Sequence, residues 1–260
     1  MPFGHPRPMA GGESGRRAKL LILGGTAEAV ELAAACAARP GLEVMTSLAG
    51  RTRAPGLPPG EVRVGGFGGA GGLARFLVER GIDRLIDATH PFAAQMGAHA
   101  EQACREAGVP RLRLLRPPWV PSPGDRWIEV ADFGEAAQRL PEFGRRVFLT
   151  VGHRELDAFA QLDLWFLVRT IEPPGVLPLR RGEWLAGRGP FAVEDELMLF
   201  QTHAIEVLVT KASGGAATYA KLVAARQLGL PVLMVSRPPP PSGPIVDSVA
   251  AALAWLDGSV

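Results

Sequence analysis

The chain has 260 residues, of which 47% are hydrophobic and 21% are charged. This balance is typical of globular proteins and excludes a disordered or fibrous chain, and no apolar stretch approaches the roughly 20 residues that span a bilayer. The formal net charge of +2 is too small to indicate a nucleic-acid partner, and we expect no membrane partner either. Because Cys36 and Cys104 are the only cysteines, we expect no disulfide framework and a reducing, cytoplasmic location.

Residues 1–17 mix Gly, Pro and charge without hydrophobic periodicity, which predicts a disordered N-terminal extension. From Lys19 onward, short β-rich runs alternate with amphipathic Ala/Leu-rich stretches, and this alternation predicts parallel strands joined by crossover helices. The strands expected in the first half are Lys19–Leu23, Glu43–Ser47, Val62–Gly66, Arg84–Ala88 and Pro110–Leu115. The helices expected between them are Ala27–Ala38, Ala70–Arg80 and Ala93–Ala107.

A Pro-rich stretch over residues 116–124 interrupts this pattern and predicts a domain boundary. Beyond it the expected strands are Trp127–Val130, Arg146–Val151, Trp165–Arg169, Val207–Thr210 and Val232–Val235. The expected helices are Ala131–Leu140, Glu155–Ala160, Val193–His203, Ala216–Leu228 and Val246–Leu256. We therefore predict an α/β protein with two Rossmann-like domains, residues 18–120 and 121–260, in which the last helix packs on either domain.

Ligands of open parallel sheets bind beyond the carboxyl ends of the strands, so the turns that follow strands are the candidate sites. The first such turn contains Gly24, Gly25 and Thr26 before a helix. Glycines allow a close backbone approach, and a Thr-capped helix N-terminus attracts anions. The turn lacks the full Gly-x-Gly-x-x-Gly pattern, so phosphate binding and a plain strand-to-helix connection are both open.

The end of the second strand distinguishes the two nicotinamide cofactors, because an acidic residue there favours NAD and a basic one favours the 2′-phosphate of NADP. Ser47 is followed here by Arg51 and Arg53 and by no carboxylate. A bound dinucleotide should therefore be NADP(H), and the alternative is a solvated arginine loop.

The glycine-rich turn at residues 65–72 lacks the Lys-Ser/Thr of a triphosphate loop. It fits a flexible connection or a surface against which a cofactor lies flat.

Two further turns carry polar side chains. Asp87 lies in an apolar strand that ends at Thr89 and His90, where an imidazole could contact a cofactor, move a proton or be purely structural. In the second half, a turn over residues 211–221 begins with Lys211 and offers amide groups to an anion, and the alternative is a surface loop with incidental lysines. The turns at 150–154 and 188–191 are expected to line the same cleft.

Other chemistry is not indicated. The histidines do not cluster and no Cys pair has zinc spacing, so we predict no metal site. The run Glu194-Asp195-Glu196 opens a predicted helix, and we interpret it as favourable to the helix dipole rather than as an acid/base group.

Four motifs in order resemble the precorrin-6A reductase family of cobalamin biosynthesis. They are Leu-Ile-Leu-Gly-Gly-Thr-Ala-Glu-Ala at 21–29, Thr-Ser-Leu-Ala-Gly-Arg-Thr at 46–52, Asp-Ala-Thr-His-Pro-Phe-Ala at 87–93 and Lys-x-Ser-Gly-Gly-x-x-Thr-Tyr-Ala-Lys at 211–221. The resemblance covers about residues 19–240. Ala212 departs from the polar residue usual in the family, and the extension before Lys19 has no counterpart in it.

The resemblance implies NADPH-dependent reduction of one double bond of precorrin-6A to give precorrin-6B, with cofactor and macrocycle in a cleft between the two α/β domains. The first domain would then bind NADP(H) and the second the polycarboxylate tetrapyrrole. The expected cofactor-binding residues are Gly25, Thr26, Ala27, Glu28, Ser47, Ala49, Gly50, Arg51, Arg53, Gly66, Thr89 and His90. The expected substrate-binding residues are Arg188, Lys211, Ser213, Gly214, Gly215, Thr218 and Lys221.

The proton donor stays open between His90, Lys211, Tyr219 and solvent. Three alternative functions also stay open at this point: a cobalt-precorrin-6A reductase of the anaerobic route, an NADP-dependent reductase of another polycarboxylate, and a non-catalytic two-domain binder of an anionic metabolite.

Overall fold

The computed structural model describes residues 16–50, 58–173 and 175–258. These residues form two units, each built on a six-stranded sheet. The first unit contains the described residues up to Arg116 and those from Pro238 onward, and the second is Pro117–Arg237. The α/β fold with two parallel, helix-flanked sheets is thereby confirmed.

The first unit alternates strands and helices along the chain. Its strands are β1 (Ala18–Leu23), β2 (Leu42–Leu48), β3 (Glu61–Val64), β4 (Arg84–Asp87), β5 (Arg111–Leu114) and β12 (Ile245–Val246). Its helices are α1 (Ala27–Ala37), α2 (Gly69–Arg80), α3 (Ala94–Ala107) and α7 (Val249–Leu256). The strands lie in the order β12-β5-β4-β1-β2-β3, and all of them are parallel.

Alternating side chains of this sheet bury its two faces, as the two-residue period of a strand requires. Leu20 and Ile22 of β1 pack with α1 and α7 on one face. Leu21 and Leu23 pack with α2 and α3 on the other. Because both faces are covered, β1 is apolar from Leu20 to Leu23, which is typical of parallel sheets. Strands β4 and β5 are equally buried but also carry charged side chains.

The second unit repeats this architecture. Its strands are β6 (Arg126–Val130), β7 (Arg146–Thr150), β8 (Trp165–Thr170), β9 (Gly182–Ala186), β10 (Val207–Lys211) and β11 (Pro231–Val235). Its helices are α4 (Phe133–Arg139), α5 (Val193–Thr202) and α6 (Ala220–Gln227), and a 3-10 helix spans His153–Phe159. The strand order is β6-β11-β10-β7-β8-β9, again parallel throughout.

Most predicted elements are present within one or two residues of their expected bounds, and the differences have physical reasons. Strand β9 was not predicted because it is a mostly exposed edge strand without a buried apolar run. Strand β12 was missed because it has only two residues, directly after a Pro-rich stretch. The predicted helix at Glu155–Ala160 is the 3-10 helix, and α6 begins at Ala220 because turns occupy the residues before it.

The last helix, which the sequence analysis allowed to pack on either domain, packs in the first unit, and the segment that leads to it lies there as well. From Pro238 onward the chain belongs to the first unit, where Ile245 of β12 pairs with Arg113 of β5 and α7 packs against α1. The apolar residues Ala252, Trp255 and Leu256 of α7 complete the core of that unit. The predicted N-terminal extension falls outside the described residues apart from Arg16 and Arg17.

Candidate active site

The first unit has an open crevice where its strand order reverses. Strands β2 and β3 lie on one side of β1, and β4, β5 and β12 lie on the other. The carboxyl ends of β1 and β4 therefore meet at the point where ligands of such sheets bind. Thr26 links them, because its hydroxyl donates to Ala88 O at 2.9 Å and accepts from Ala29 N at 3.1 Å as the N-cap of α1.

Gly24 and Gly25 shape the backbone in front of α1 in different ways. A Cβ on Gly24 would lie 3.0 Å from Thr46 Cγ2, so a side chain at this position would crowd β2. Gly25 has a φ of +117°, and a Cβ there would meet nothing within 4 Å. The space beside Gly25 is therefore open, and Thr26 and Ala27, the N-cap and first residue of α1, follow directly in the chain. A phosphate fits such a place.

A carboxylate lies in the first turn of α1 and is neutralised there. Glu28 Oε2 accepts from Arg116 Nη1 at 2.9 Å, and the two side chains are 25% and 15% exposed. Without Arg116, the negative charge would oppose an anion at the same helix end. Sequence reasoning included Glu28 in the site and missed Arg116, which is the first residue of the Pro-rich stretch.

The end of β2 lies beside this turn, since Gly24 N donates to Ser47 O at 2.9 Å. Ser47 is only 6% exposed, whereas Ala49 and Gly50 are exposed. Arg51 and Arg53, on which the NADP(H) prediction depends, lie outside the described residues.

The glycine-rich turn after β3 is organised by a residue that sequence reasoning missed. Arg63 donates to the carbonyl oxygens of Gly65 and Gly66, at 2.6 Å in each case, and its guanidinium lies 4.0 Å from the centre of the Phe67 ring. A Cβ on Gly72 would collide with Phe67 O at 1.7 Å. Gly66 thus belongs to a turn whose carbonyl groups are bound by Arg63.

The turn after β4 rests on a buried ion pair. Asp87 is fully buried and its Oδ2 lies 2.5 Å from Nη1 of Arg113, whose side chain is 4% exposed. Asp87 Oδ1 accepts from the amide of Thr89 at 3.1 Å and from its hydroxyl at 2.8 Å. Sequence reasoning recognised that a buried Asp87 needs partners, but it did not identify Arg113. The signal was present in β5, where Arg111 and Arg113 alternate with leucines in a strand that is buried throughout.

His90 is fixed through one ring nitrogen. The amide of Phe92 donates to Nδ1 of His90 at 3.2 Å. In the neutral ring the proton is therefore carried by Nε2, and His90 offers a hydrogen-bond donor at that atom. Thr89 and His90 are both partly exposed, so the end of β4 presents a hydroxyl and an imidazole.

The second unit has a crevice of the same kind between β7 and β10, which are neighbours at its own reversal of strand order. Lys211 ends β10, and its Nζ lies 3.9 Å from Oε1 of Glu155, in the 3-10 helix that follows β7. The end of β10 therefore lies against the segment that directly follows the turn at residues 150–154.

Arg237 binds the backbone carbonyl groups of the turn after β10. Its Nε donates to Ala212 O at 2.6 Å, and its Nη2 donates to Ser213 O at 3.0 Å and to Pro117 O at 3.1 Å. Position 212 therefore contributes its carbonyl group, which explains how Ala is accommodated there. The amide of Ser213 donates to Lys211 O at 2.6 Å. The expectation that this amide is available to a ligand is therefore not met in this geometry.

The two glycines of this turn have left-handed backbones. Gly214 has a φ of +67°, and a Cβ there would lie 2.1 Å from Pro117 O. Gly215 has a φ of +81°, and its carbonyl accepts from Trp119 Nε1 at 2.8 Å. The amides of both glycines have no hydrogen-bond acceptor among the described residues; Gly214 is buried, whereas Gly215 is partly exposed.

Lys221 does not lie where a substrate anchor would. The residue is 3% exposed, and its ammonium donates to Thr218 O at 2.7 Å and lies 5.1 Å from the centre of the Trp119 ring. Burial, and next the positive charge of Arg169, lower the pKa of Lys221 to about 7. The expected role of Lys221 as a carboxylate anchor is therefore wrong in this geometry, because its ammonium is directed at a carbonyl group inside the protein.

A second buried ion pair lies beside Lys221. Arg169 Nη2 and Glu196 Oε1 are 2.6 Å apart, and the two side chains are 7% and 1% exposed. Arg169 also lies over the ring of Phe191 at 3.7 Å. The interpretation of residues 194–196 as a helix-dipole run is thus corrected at Glu196, which is buried, while Glu194 and Asp195 are not.

Tyr219 is tied to a further ion pair. Its hydroxyl accepts from Arg226 Nη2 at 2.9 Å. Arg226 also binds both carboxylate oxygens of Asp125, at 2.9 and 3.1 Å. These bonds raise the pKa of Arg226 and direct the Tyr219 hydroxyl towards the ion pair.

An open cavity of about 510 Å³ lies beside the turn after β10 and is lined largely by apolar side chains. The aromatic residues in its wall are Trp119, Phe191 and Tyr219. Gly189 approaches the same turn, because a Cβ there would lie 2.5 Å from Ala217 O, and Arg188 precedes it in the chain. The cavity thus combines an aromatic wall with Gly215, whereas Arg188 and Lys211 are not among its lining residues.

Two features are absent from the described part of the chain. No group of three or more His, Cys, Asp or Glu side chains in it could hold a metal ion. None of its helices has the length and hydropathy needed to cross a membrane.

Residues 19–257 match the family model described as "Precorrin-6x reductase CbiJ/CobK". The precorrin-6A reductase of Rhodococcus erythropolis is 54% identical over 240 residues, which cover 92% of this chain and 97% of that protein. The cobalt-precorrin-6A reductase of Priestia megaterium is 29% identical over 232 residues, covering 84% of this chain and 90% of that protein. A solved structure described as "CobK precorrin-6A reductase" matches with a TM-score of 0.87 at 43% identity, covering 92% of this chain and 96% of that one.

Proposed function

Because the chain belongs to the precorrin-6x reductase family, we propose that it reduces precorrin-6A to precorrin-6B with NADPH, in cobalamin biosynthesis in the cytoplasm. When bound, NADPH would supply the hydride that adds to one double bond of the macrocycle, and a proton from the protein or from solvent would complete the reduction. The protein supplies binding, orientation and a defined electrostatic environment.

The observation that carries this proposal is the crevice of the first unit. Thr26 caps α1 and bonds to the end of β4, and the space at Gly25 is open. This arrangement fits the pyrophosphate of a dinucleotide, held by the amides of Gly25, Thr26 and Ala27. We assign the 2′-phosphate to Ser47 with Arg51 and Arg53, of which the two arginines lie outside the described residues.

The polar end of β4 fits the nicotinamide half of the cofactor. Thr89 presents a hydroxyl there, and His90 presents a donor at Nε2 because Phe92 occupies its Nδ1. The donor of His90 suits a carboxamide oxygen, and the Thr89 hydroxyl, whose proton is donated to Asp87, can accept from a carboxamide N–H. We therefore propose that His90 and Thr89 orient the nicotinamide. Ala49, Gly50 and Gly66 would lie along the cofactor without contributing side-chain polar groups.

The second unit offers groups that suit a large conjugated polycarboxylate. Lys211 and Arg188 provide cations, and the amides of Gly214 and Gly215 provide donors for carboxylates. The wall of Trp119, Phe191 and Tyr219 suits the apolar face of a macrocycle. Thr218 and Lys221 support this turn from within, through the hydrogen bond between the ammonium and the carbonyl group.

The relatives favour the cobalt-free substrate. Those described as precorrin-6A reductases are 44–54% identical to this chain, whereas those described as cobalt-precorrin-6A reductases are 29–34% identical. We therefore propose precorrin-6A rather than its cobalt complex as the natural substrate.

An anaerobic assay with the purified protein tests the proposal. Precorrin-6A and cobalt-precorrin-6A are each supplied with NADPH or NADH, and the cofactor absorbance and the macrocycle spectrum are followed together. We expect NADPH consumption coupled to a shortened chromophore, fastest with the cobalt-free macrocycle.

Two other results would overturn parts of the proposal. Binding of NADPH without turnover of either macrocycle would exclude the substrate and favour a reductase of another polycarboxylate. Absence of NADPH binding would exclude the cofactor and favour the non-catalytic binder of an anionic metabolite.

A further inference from the structure

Arg113 makes an unusual set of contacts with the turn that follows β4. Its Nη1 donates to the hydroxyl of Thr89 at 2.8 Å. Its Nη2 donates to the carbonyl oxygens of Thr89 at 3.1 Å and of His90 at 3.3 Å. The guanidinium thus binds three oxygen atoms of two consecutive residues while it pairs with Asp87.

We propose that Arg113 is a positioning residue for hydride transfer, which acts by fixing the Thr89–His90 turn against which the cofactor is oriented. The inference rests on the proposed function, since it concerns the reactive half of the same cofactor.

The physical argument starts from the two charged groups that flank Thr89. Asp87 accepts from the amide and hydroxyl of Thr89, and Arg113 donates to its hydroxyl and carbonyl. Every polar group of Thr89 is therefore held by a buried ion pair. A turn fixed in this way keeps the His90 ring and the Thr89 hydroxyl in one place, and a misplacement of about 1 Å at a reacting centre can cost about 100-fold in rate.

The planar fork of arginine is essential to this geometry. Two parallel donor groups reach the hydroxyl and the carbonyl oxygens at once, whereas lysine offers a single ammonium on a flexible stem. Lysine at position 113 would preserve the charge opposite Asp87 and lose the multiple contacts with the turn. The substitution therefore separates charge neutralisation from positioning.

Arg111 provides a matched control on the same strand. It lies two residues before Arg113 on the same face of β5 and is 9% exposed, but its Nη2 donates to Ser242 O and not to the turn after β4. Both arginines are buried and both contact backbone carbonyls, so they differ in which segment they hold.

The experiment compares Arg113→Lys with Arg111→Lys in the full chain. For each variant, the Kd for NADPH is measured by titration and kcat is measured with precorrin-6A, using NADPH and NADPH deuterated at the transferred position. For Arg113→Lys we expect kcat to fall at least tenfold, the Kd for NADPH to stay within threefold, and the deuterium isotope effect on kcat to increase. For Arg111→Lys we expect all three quantities within twofold of the wild type.

The double variant Asp87→Asn with Arg113→Met keeps the test decisive where Arg113→Lys does not fold. It leaves no unpaired charge from the Asp87–Arg113 pair, and the amide oxygen of Asn can still accept from Thr89. We expect the same loss of kcat and the same increase in the isotope effect.

Three results would contradict the proposal. The proposal would be overturned if a folded variant of Arg113 kept the wild-type kcat and isotope effect. It would also be overturned if Arg111→Lys lost as much kcat as Arg113→Lys, because that result would indicate a general effect of altering the core. A wild-type protein that neither binds NADPH nor turns over the macrocycle would overturn the proposed function itself, and this inference with it.

Discussion

The ammonium of Lys221 donates to the carbonyl oxygen of Thr218 at 2.7 Å inside the second unit. Charged groups face it from several elements: Arg169 on β8, Glu196 on α5 and Lys211 on β10. Burial is the main cause of its low pKa of about 7, and the two cations act in the same direction while Glu196 opposes them. A lysine held in this way links the stability of the unit to pH.

We expect the free energy of unfolding to rise between pH 7 and pH 9. The unfolded chain keeps Lys221 protonated up to the ordinary lysine pKa of 10.5, whereas the folded protein loses this proton above a pKa of about 7. The unfolded state therefore binds more protons in this window, and stability increases with pH by on the order of 1 kcal/mol per pH unit. Urea unfolding at several pH values, followed by tryptophan fluorescence, measures the slope.

Tryptophan fluorescence reports mainly on the second unit, because four of the five tryptophans, at positions 119, 127, 165 and 184, lie in it. The variant Lys221→Met should abolish most of the slope and be more stable than the wild type near pH 7. The control Lys19→Met, at a partly exposed site in the first unit, should retain it. An undiminished slope in Lys221→Met would assign the pH dependence to another group.

Glu196 and Glu194 should respond differently to the same substitution. Glu196→Gln removes the charge that neutralises buried Arg169, and we expect a loss of about 3–5 kcal/mol in the free energy of unfolding. Glu194→Gln alters a residue outside the core in the same helical turn and should cost less than about 1 kcal/mol. Urea unfolding of both variants makes the comparison, and equal losses would restore the helix-dipole interpretation for all three acids.

The sequence predicted the order and type of most elements because the signals were local. Alternating apolar runs marked the buried strands, and Gly81 and Gly108 marked helix ends, where both adopt left-handed backbones. The prediction failed where structure depends on distant partners. Strand β12 has two residues and exists because Ile245 finds Arg113 in a sheet formed by the other end of the chain.

The same distinction applies to the candidate site. Gly25, Thr26, Thr89 and His90 could be recognised because each follows a predicted strand. The residues that support the two turns could not be assigned, because each contacts a segment distant in the chain. Arg113 bonds to Thr89 and Arg237 bonds to Ser213, and each pair is 24 residues apart in the sequence. Lys221 was misassigned because a motif reports residue type and spacing but not burial.

Gly214 should be far less tolerant of a side chain than Gly229. The two residues have similar left-handed φ angles, +67° and +65°, but a Cβ would lie 2.1 Å from Pro117 O at Gly214 and would meet nothing within 4 Å at Gly229. Gly229→Ala should cost about 1–2 kcal/mol through backbone strain alone. Gly214→Ala should cost several kcal/mol or displace the turn, with an increased KM for the macrocycle. Unfolding and steady-state kinetics test both, and equal effects would show that the contact with Pro117 is easily relieved.

Tyr219→Phe tests one of the three side chains that are candidate proton donors. The hydroxyl accepts from Arg226, which is paired with Asp125, so we expect it to serve the structure rather than the proposed reduction. The variant should keep kcat within about threefold and lose about 1 kcal/mol of stability, the usual worth of one hydrogen bond. Lys211→Met, at a partly exposed lysine, is the comparison and should raise the KM for the macrocycle because the proposed carboxylate anchor is lost. Anaerobic steady-state kinetics across pH 6–9 measures both variants. If kcat of Tyr219→Phe fell 100-fold or more while its KM stayed unchanged, the Tyr219 hydroxyl would instead be identified as the proton donor.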